Sequence, residues 1–300
     1  MTNFDLAKRN APQHPAPKSE AAHYILLADA AKAGVEPLNT FTGDEQEPGP
    51  VLATITAQAA SLWTAVDASL SVPTVRVYCA DPNSPYAQAA RETRIQHSGD
   101  QLTVTVPSIP APPQTVHHGN TYISGSGSTF TVASTGDRHI SSSGVTFTSS
   151  TGGSIINGHQ GVEVELLLPS GSGLRSTTSS GSVRTVGHLT AAKINAASGS
   201  VRLESVGRAE IQAASGSVRI GNVTERANVN AASGSVKVTQ HSGHYARVLA
   251  ASGSVTFTVA AEASGTVDVH AASGSVTLHG SHRSDMTITA TALSGTVRRR

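Results

Sequence analysis

The sequence predicts an all-β fold: a right-handed parallel β-solenoid (β-helix) with an N-terminal α/β cap. Three observations lead there. A Ser-Gly-Ser-Val motif begins at Ser180, Ser198, Ser215, Ser233, Ser252 and Ser273, every 17 to 21 residues, with Thr variants beginning at Ser264 and Ser294. A fixed period in that range marks a stacked repeat architecture. Apolar residues alternate with period two on both sides of each motif, as in strands buried on one face. The phase of that alternation flips across the glycine, and a strand changes face only through a bend or bulge.

Each copy therefore reads as strand, glycine corner, strand. Before the corner the inward places hold Ile194, Ile211, Val229, Val248 and Val269, then Ala196, Ala213, Ala231, Ala250 and Ala271. After it they hold Val201 and Leu203, Val218 and Ile220, Val236 and Val238, Val255 and Phe257, Val276 and Leu278. The corners are Gly181, Gly199, Gly216, Gly234, Gly253 and Gly274. The second bend of each coil is expected in the polar segments Glu204 to Arg208, Gly221 to Arg226 and Gln240 to Tyr245. A single coil buries too few aliphatics to stand alone, and stacking at about 4.8 Å supplies both the core and the backbone partners. Left-handed hexapeptide helices also have about 18 residues per coil. The aliphatics here do not fall six apart, which favours the right-handed form.

Taken in order, residues 1–50 read as a mobile arm, a helix from Ser19 to Gly34 with Ser19 as cap, and an acidic, Pro-rich linker. Residues 51–110 read as a β-rich cap with strands at Val51–Ala57 and Val75–Cys79, a short helix from Tyr86 to Thr93, and a hairpin joining Arg94–His97 to Leu102–Val106. Solenoids need caps because an open end is an aggregating edge. Residues 111–161 are rich in Gly, Ser and Thr, but recurring pairs such as Val145 with Phe147 favour irregular β-coils or hairpins over disorder. Residues 162–300 open with a strand at Val162–Pro169 and carry the solenoid repeats.

The run Val164 through Leu168-Pro169-Ser170-Gly171 to Leu174, then Ser180-Gly181-Ser182-Val183 and the Ala-Ala-Ser-Gly-Ser-Val series, resembles the bacterial putative-adhesin family of β-strand repeat proteins. That family is a domain of unknown function common in actinobacteria. Val75 to Val106, with Asp81-Pro82, Ala89-Ala90-Arg91 and Gly99-Asp100-Gln101-Leu102, is similar to its N-terminal part. The likeness runs from about Ile55 to the end. It implies a parallel solenoid, a structural, adhesin-like or envelope-associated role, and no catalytic residues. Family members usually carry Asp where this chain has Ser182, Ser200, Ser217 or Ser235, so a cation-binding role for that row does not carry over.

Composition excludes several classes. Aromatics make up 4% and charged residues 14% of the chain, a mix suited to thin, tightly turning strands rather than a thick core. A formal charge of +1 does not by itself call for nucleic acid or membrane. One cysteine, Cys79, allows no disulfide within the chain, and its strand position suits an inert buried thiol. With neither an apolar leader nor a membrane span in view, the expected place is the cytoplasm, with non-classical export left open.

The leading binding feature is a row of cations one residue past the motif valines: Arg184, Arg202, Arg219 and Lys237. They face outward by the alternation, and stacking makes them a ladder about 5 Å apart. Like charges at that spacing repel by about 1 kcal/mol in water. The row therefore fits an anionic polymer, although a solvated face partly offset by neighbours such as Glu204, or an aggregation guard, accounts for the same charges. The row then gives way to Thr256, Asp268 and Thr277 in the next equivalent places. His241 with His244, and His279 with His282 near His270, would need a third ligand for metal, and no carboxylate shares their register. No metal or other cofactor is expected. Arg298 to Arg300 reads as a charged tail.

The expectation is a non-enzymatic solenoid that presents a Ser/Thr- and Arg-rich β-face to a protein or anionic polymer, with self-association into homo-oligomers allowed. Two rivals remain at this point. One is a polysaccharide-binding or polysaccharide-cleaving β-helix; cleavage would need clustered carboxylates, and the acids Glu204, Glu210, Glu225, Glu262, Asp268 and Asp285 are scattered among different registers with no dyad. Nucleic-acid binding through the ladder is the other, and is disfavoured.

Overall fold

The computed structural model describes residues 28–32, 34–108, 161–282 and 284–300, together with the backbone of the strands Ile123–Gly125, Arg138–Ser142, Val145–Ser149 and Ser154–Ile156. The chain winds as a parallel β-solenoid. Each coil has a leading limb before the glycine corner and a trailing limb after it, and every limb from residue 173 onward pairs in parallel with its equivalents in neighbouring coils.

The inward columns form because the register is maintained from coil to coil. Ile194 lies against Ile211, Ile211 against Val229, Val229 against Val248, and Val248 against Val269. In the trailing limbs Val201, Val218, Val236, Val255 and Val276 form a second spine, all fully or almost fully buried. The two spines share one hydrophobic cluster. No coil owns that core, so its stability is largely a matter of neighbour contacts.

The corners show why glycine recurs. Gly199, Gly216, Gly234, Gly253 and Gly274 have φ between +109° and +127°, a region that L side chains rarely adopt. A Cβ on each would also overlap the carbonyl oxygen of the corner glycine in the coil before it. Gly181 lies outside the positive-φ region, but a Cβ there would overlap the backbone of Ala60.

Two details differ from the expectation. The second bend is a bulge rather than a loop in the early coils: Val183–Ala196, Val201–Ala213 and Val218–Ser233 run through it as continuous strands, with register shifts at Thr185/His188 and Val206/Arg208. Val206 and Val223 turn inward there and are buried, so the bend carries its own core residue among the polar ones. The variant at Ser264 is not a corner. Thr266 and Val267 pair with Tyr245 and Ala246 at the start of a leading limb, which puts Gly265 in the second bend.

The N-terminal residues join the stack. Leu52–Ala57 lies in parallel between Gln101–Thr105 and Gly173–Thr178. Ala60–Asp67 lies in parallel between Val162–Pro169 and the start of Val183–Ala196. Antiparallel strands close this end: Arg94–Ser98 on Gln101–Thr105, and Thr74–Cys79 on Val162–Pro169 with Asn39–Thr42 outside it. The expected short helix is Pro85–Arg91, with Pro at its start and Ser84 Oγ accepting the Ala87 amide at 3.3 Å. Its Ala87, Ala89 and Ala90 join the core.

Of the helix expected from Ser19, Asp29–Lys32 is helical. Residues before 28, and with them the mobile arm, lie outside the described residues. In the Gly/Ser/Thr-rich part, Val145–Ser149 pairs antiparallel with both Arg138–Ser142 and Ser154–Ile156, a hairpin arrangement. Among the described residues no helix is long and apolar enough to cross a membrane.

Candidate polyanion-binding face

The four cations sit on consecutive trailing limbs, directly opposite one another. Arg184 pairs in register with Arg202, Arg202 with Arg219, and Arg219 with Lys237. All four are exposed. The same column continues through Thr256 and Thr277 to Arg298. The register shifts fall at the second bend, beyond the ladder rows, so the column is straight.

Toward the N-terminus the column reads Trp63, Glu165, Arg76 and Thr40. The Arg184 guanidinium lies over the Trp63 ring, 5.2 Å from its centroid, and Lys32 Nζ lies over the same ring at 4.7 Å. Such contacts hold a cation in place at little desolvation cost. Glu165 is fully buried; it accepts from Tyr78 Oη at 3.2 Å, Arg76 Nη1 at 3.3 Å and the Ala28 amide at 3.4 Å. Glu163 accepts the Ala30 amide at 2.9 Å. Two buried carboxylates thus hold the segment around Asp29–Lys32 against the sheet, where its amides complement their charge. Burial, then the Glu165 charge, pushes the Tyr78 phenol up to about 12.

The leading-limb face is organised differently. Its outward column runs Arg175, Lys193, Glu210, Asn228, Arg247, Asp268, and Lys193 Nζ donates to Glu210 at 2.7 Å. Lys193 with Glu210 and Arg247 with Asp268 are adjacent opposite charges there, while Arg175 and Lys193 are like. Along the ladder, Arg202, Arg219 and Lys237 have no salt-bridge partner among the described residues. Beside the corners, Asn195, Gln212 and Asn230 form a carboxamide ladder over Ala196, Ala213 and Ala231, which leaves a shallow axial groove of about 920 Å³.

The other candidates are dispersed. Glu204 accepts the Gly187 amide at 2.8 Å on a trailing limb, while Glu210 is paired with Lys193 on a leading limb. They do not converge. His241 is buried and His244 exposed. Among the described residues no three His, Cys, Asp or Glu side chains gather as metal ligands would. Cys79 is buried, with Sγ 3.4 Å from both the Asp81 carbonyl and Ser84 Oγ. Arg299 takes the place opposite Leu278, and its guanidinium donates to the Ile288 carbonyl at 3.4 Å. Sequence reading had not marked the strand Ala60–Asp67 or its Trp63. The signal was the inward alternation of Ala60, Leu62 and Thr64, all buried.

Residues 88–299 match the family model described as Toastrack DUF4097, well over half of the chain. The chain belongs to the Toastrack DUF4097 family. The resemblance seen in the motif residues holds at this level, and a β-solenoid is the Toastrack fold. The match begins after Trp63, so the coil Leu52–Asp67 that supplies the base of the ladder precedes the matched span. Solved structures similar to this Toastrack chain include a putative adhesin from Bacteroides fragilis, 11% identical over 87% of this chain and 97% of that one, with a TM-score of 0.47. A putative cell adhesion protein from Clostridium sporogenes is 9% identical over 87% and 97%, with a TM-score of 0.36. A putative lipid binding protein from Parabacteroides distasonis is 9% identical over 88% and 96%, with a TM-score of 0.40. No curated protein matches the sequence.

Proposed function

We propose that this Toastrack protein is a non-enzymatic, adhesin-like binding scaffold whose trailing-limb face takes a linear anionic polymer along the solenoid axis. One observation carries the reading: four like charges stand on adjacent strands with no acid between them, although the other face of the same coils sets Glu210 directly against Lys193. Neighbouring cations about 4.8 Å apart repel by about 1 kcal/mol in water. An anion lying along the row removes that repulsion and adds charge-assisted hydrogen bonds. The solenoid supports this role because its spines fix the spacing of the row, so the backbone needs no ordering on binding.

The test is a binding panel of soluble anionic polymers at low and high salt, with wild type and the double variant Arg202→Glu/Arg219→Glu. Binding that weakens with salt and disappears in the variant is expected. Polyanion binding unaffected by the double charge reversal, or none at all, removes the proposal.

A further inference from the structure

We infer that the polymer is a linear polyuronate, an acidic polysaccharide with one carboxylate on each sugar, laid one sugar per coil from Arg184 to Lys237. This rests on the proposed polyanion-binding role and narrows it. The first ground is spacing. Each coil advances the ladder by about 4.8 Å, close to the advance of one pyranose in an extended glycan chain; successive sugars turn about the chain axis, so their carboxylates reach the row alternately from its two sides. A strand of B-DNA places a phosphate every ~3.4 Å of axis, and inorganic polyphosphate places its charges closer together than one per coil. Either falls out of step with four cations at fixed backbone spacing within a few units.

The second ground is the chemistry beside the row. Three of the four cations are arginines, whose planar forks take a carboxylate, as they do a phosphate, with two parallel hydrogen bonds. On the corner side runs a column of hydroxyls, Ser182, Ser200, Ser217 and Ser235, each at least partly exposed. These suit sugar hydroxyls. Single-stranded nucleic acid would call for aromatic side chains between the cations to stack its bases, and no aromatic residue lies in the column between Arg184 and Lys237.

The third ground is how the row ends. Trp63 underlies Arg184 and presets its guanidinium, and beyond it Glu165 is sealed under the segment around Asp29–Lys32. The negative charge is kept out of the polymer's path. In the other direction Thr256 and Thr277 bridge to Arg298, so a longer chain finds donors past Lys237.

Trp63 is the chain's one tryptophan, so its emission reports on the foot of the row, where Arg184 and Lys32 meet its ring. The experiment titrates the full chain with oligogalacturonates of two and four sugars, by calorimetry and by Trp63 emission. Oligothymidylate and polyphosphate of equal charge serve as comparisons. Wild type and Arg202→Ala/Arg219→Ala are compared at matched melting temperature. The expected result is a tetramer that binds about tenfold or more tighter than the dimer, shifts Trp63 emission, and loses about tenfold in the double variant. Oligothymidylate or polyphosphate binding as tightly as the tetramer, with the same loss in the variant, overturns the polyuronate assignment and leaves the polyanion reading standing. If no polyanion depends on Arg202 and Arg219, both fall.

Discussion

His241 stands directly against Val223 in the stack, an imidazole in a column of buried valines, with Val259 against its other side. It is fully buried, its ring 5.5 Å from that of Phe257, and neither ring nitrogen has a hydrogen-bond partner. Burial, and secondarily the nearby His244, lowers its pKa from 6.5 to about 4.

The folded state therefore resists a proton that the unfolded chain accepts. Stability is fully present above about pH 6.5 and falls as the pH drops from there to about 4, by about 1.4 kcal/mol per unit and about 3 kcal/mol in all. His241→Val, which copies its neighbours, should abolish this component. Urea melts at pH 7.5, 6 and 4.5 for both proteins would check it; an equal acid loss in the variant would assign the effect elsewhere.

Gly216→Ala should be among the most damaging small substitutions in the chain. Its φ is +113°, and a Cβ would overlap the carbonyl oxygen of Gly199. The strain and the forced shift of the coil should cost about 3 kcal/mol or more. Gly99→Ala is the control, because Gly99 also has positive φ but open space around it. That change should cost only about 1–2 kcal/mol, and comparable losses at the two sites would show that stacking at the corner is not what matters.

Thr185→Val should stabilise the protein. The Thr185 hydroxyl is buried without a partner in the column that continues as Leu203, Ile220 and Val238. Valine keeps the shape and removes the unsatisfied group, a gain of about 1–2 kcal/mol. Thermal unfolding decides it, with a fall in melting temperature counting against a dry site.

Arg202→Thr should raise stability slightly in dilute buffer, by a few tenths of a kcal/mol, because it relieves repulsion from Arg184 and Arg219. The gain should vanish at about 1 M salt, where the screening length falls to roughly 3 Å. A gain that persists in high salt would mean that strand propensity, not charge, is responsible.

Much of the core was legible because it is local and periodic. Ile194, Ile211 and Val229 could be aligned by counting from the nearest Ser-Gly, and once copies stack, the same count brings Arg184, Arg202 and Arg219 into one row. The inward valine of the second bend was harder to see. Val206 lies among polar residues, and its burial depends on a bulge that interrupts simple alternation.

By itself, the sequence determined the coil, its inward faces and its glycine corners, because alternation and period act over a few residues and repeat. Only the tertiary structure decided what stands at the foot of the cation row. Leu52–Ala57 and Ala60–Asp67 enter the stack between strands far along the chain, and no local pattern encodes which coil a non-repeating strand will join. That choice places Trp63 under Arg184 and buries Glu165 beneath the Asp29–Lys32 segment. It is set by the summed fit of backbone pairing, burial and charge, which exists only once the coils are stacked.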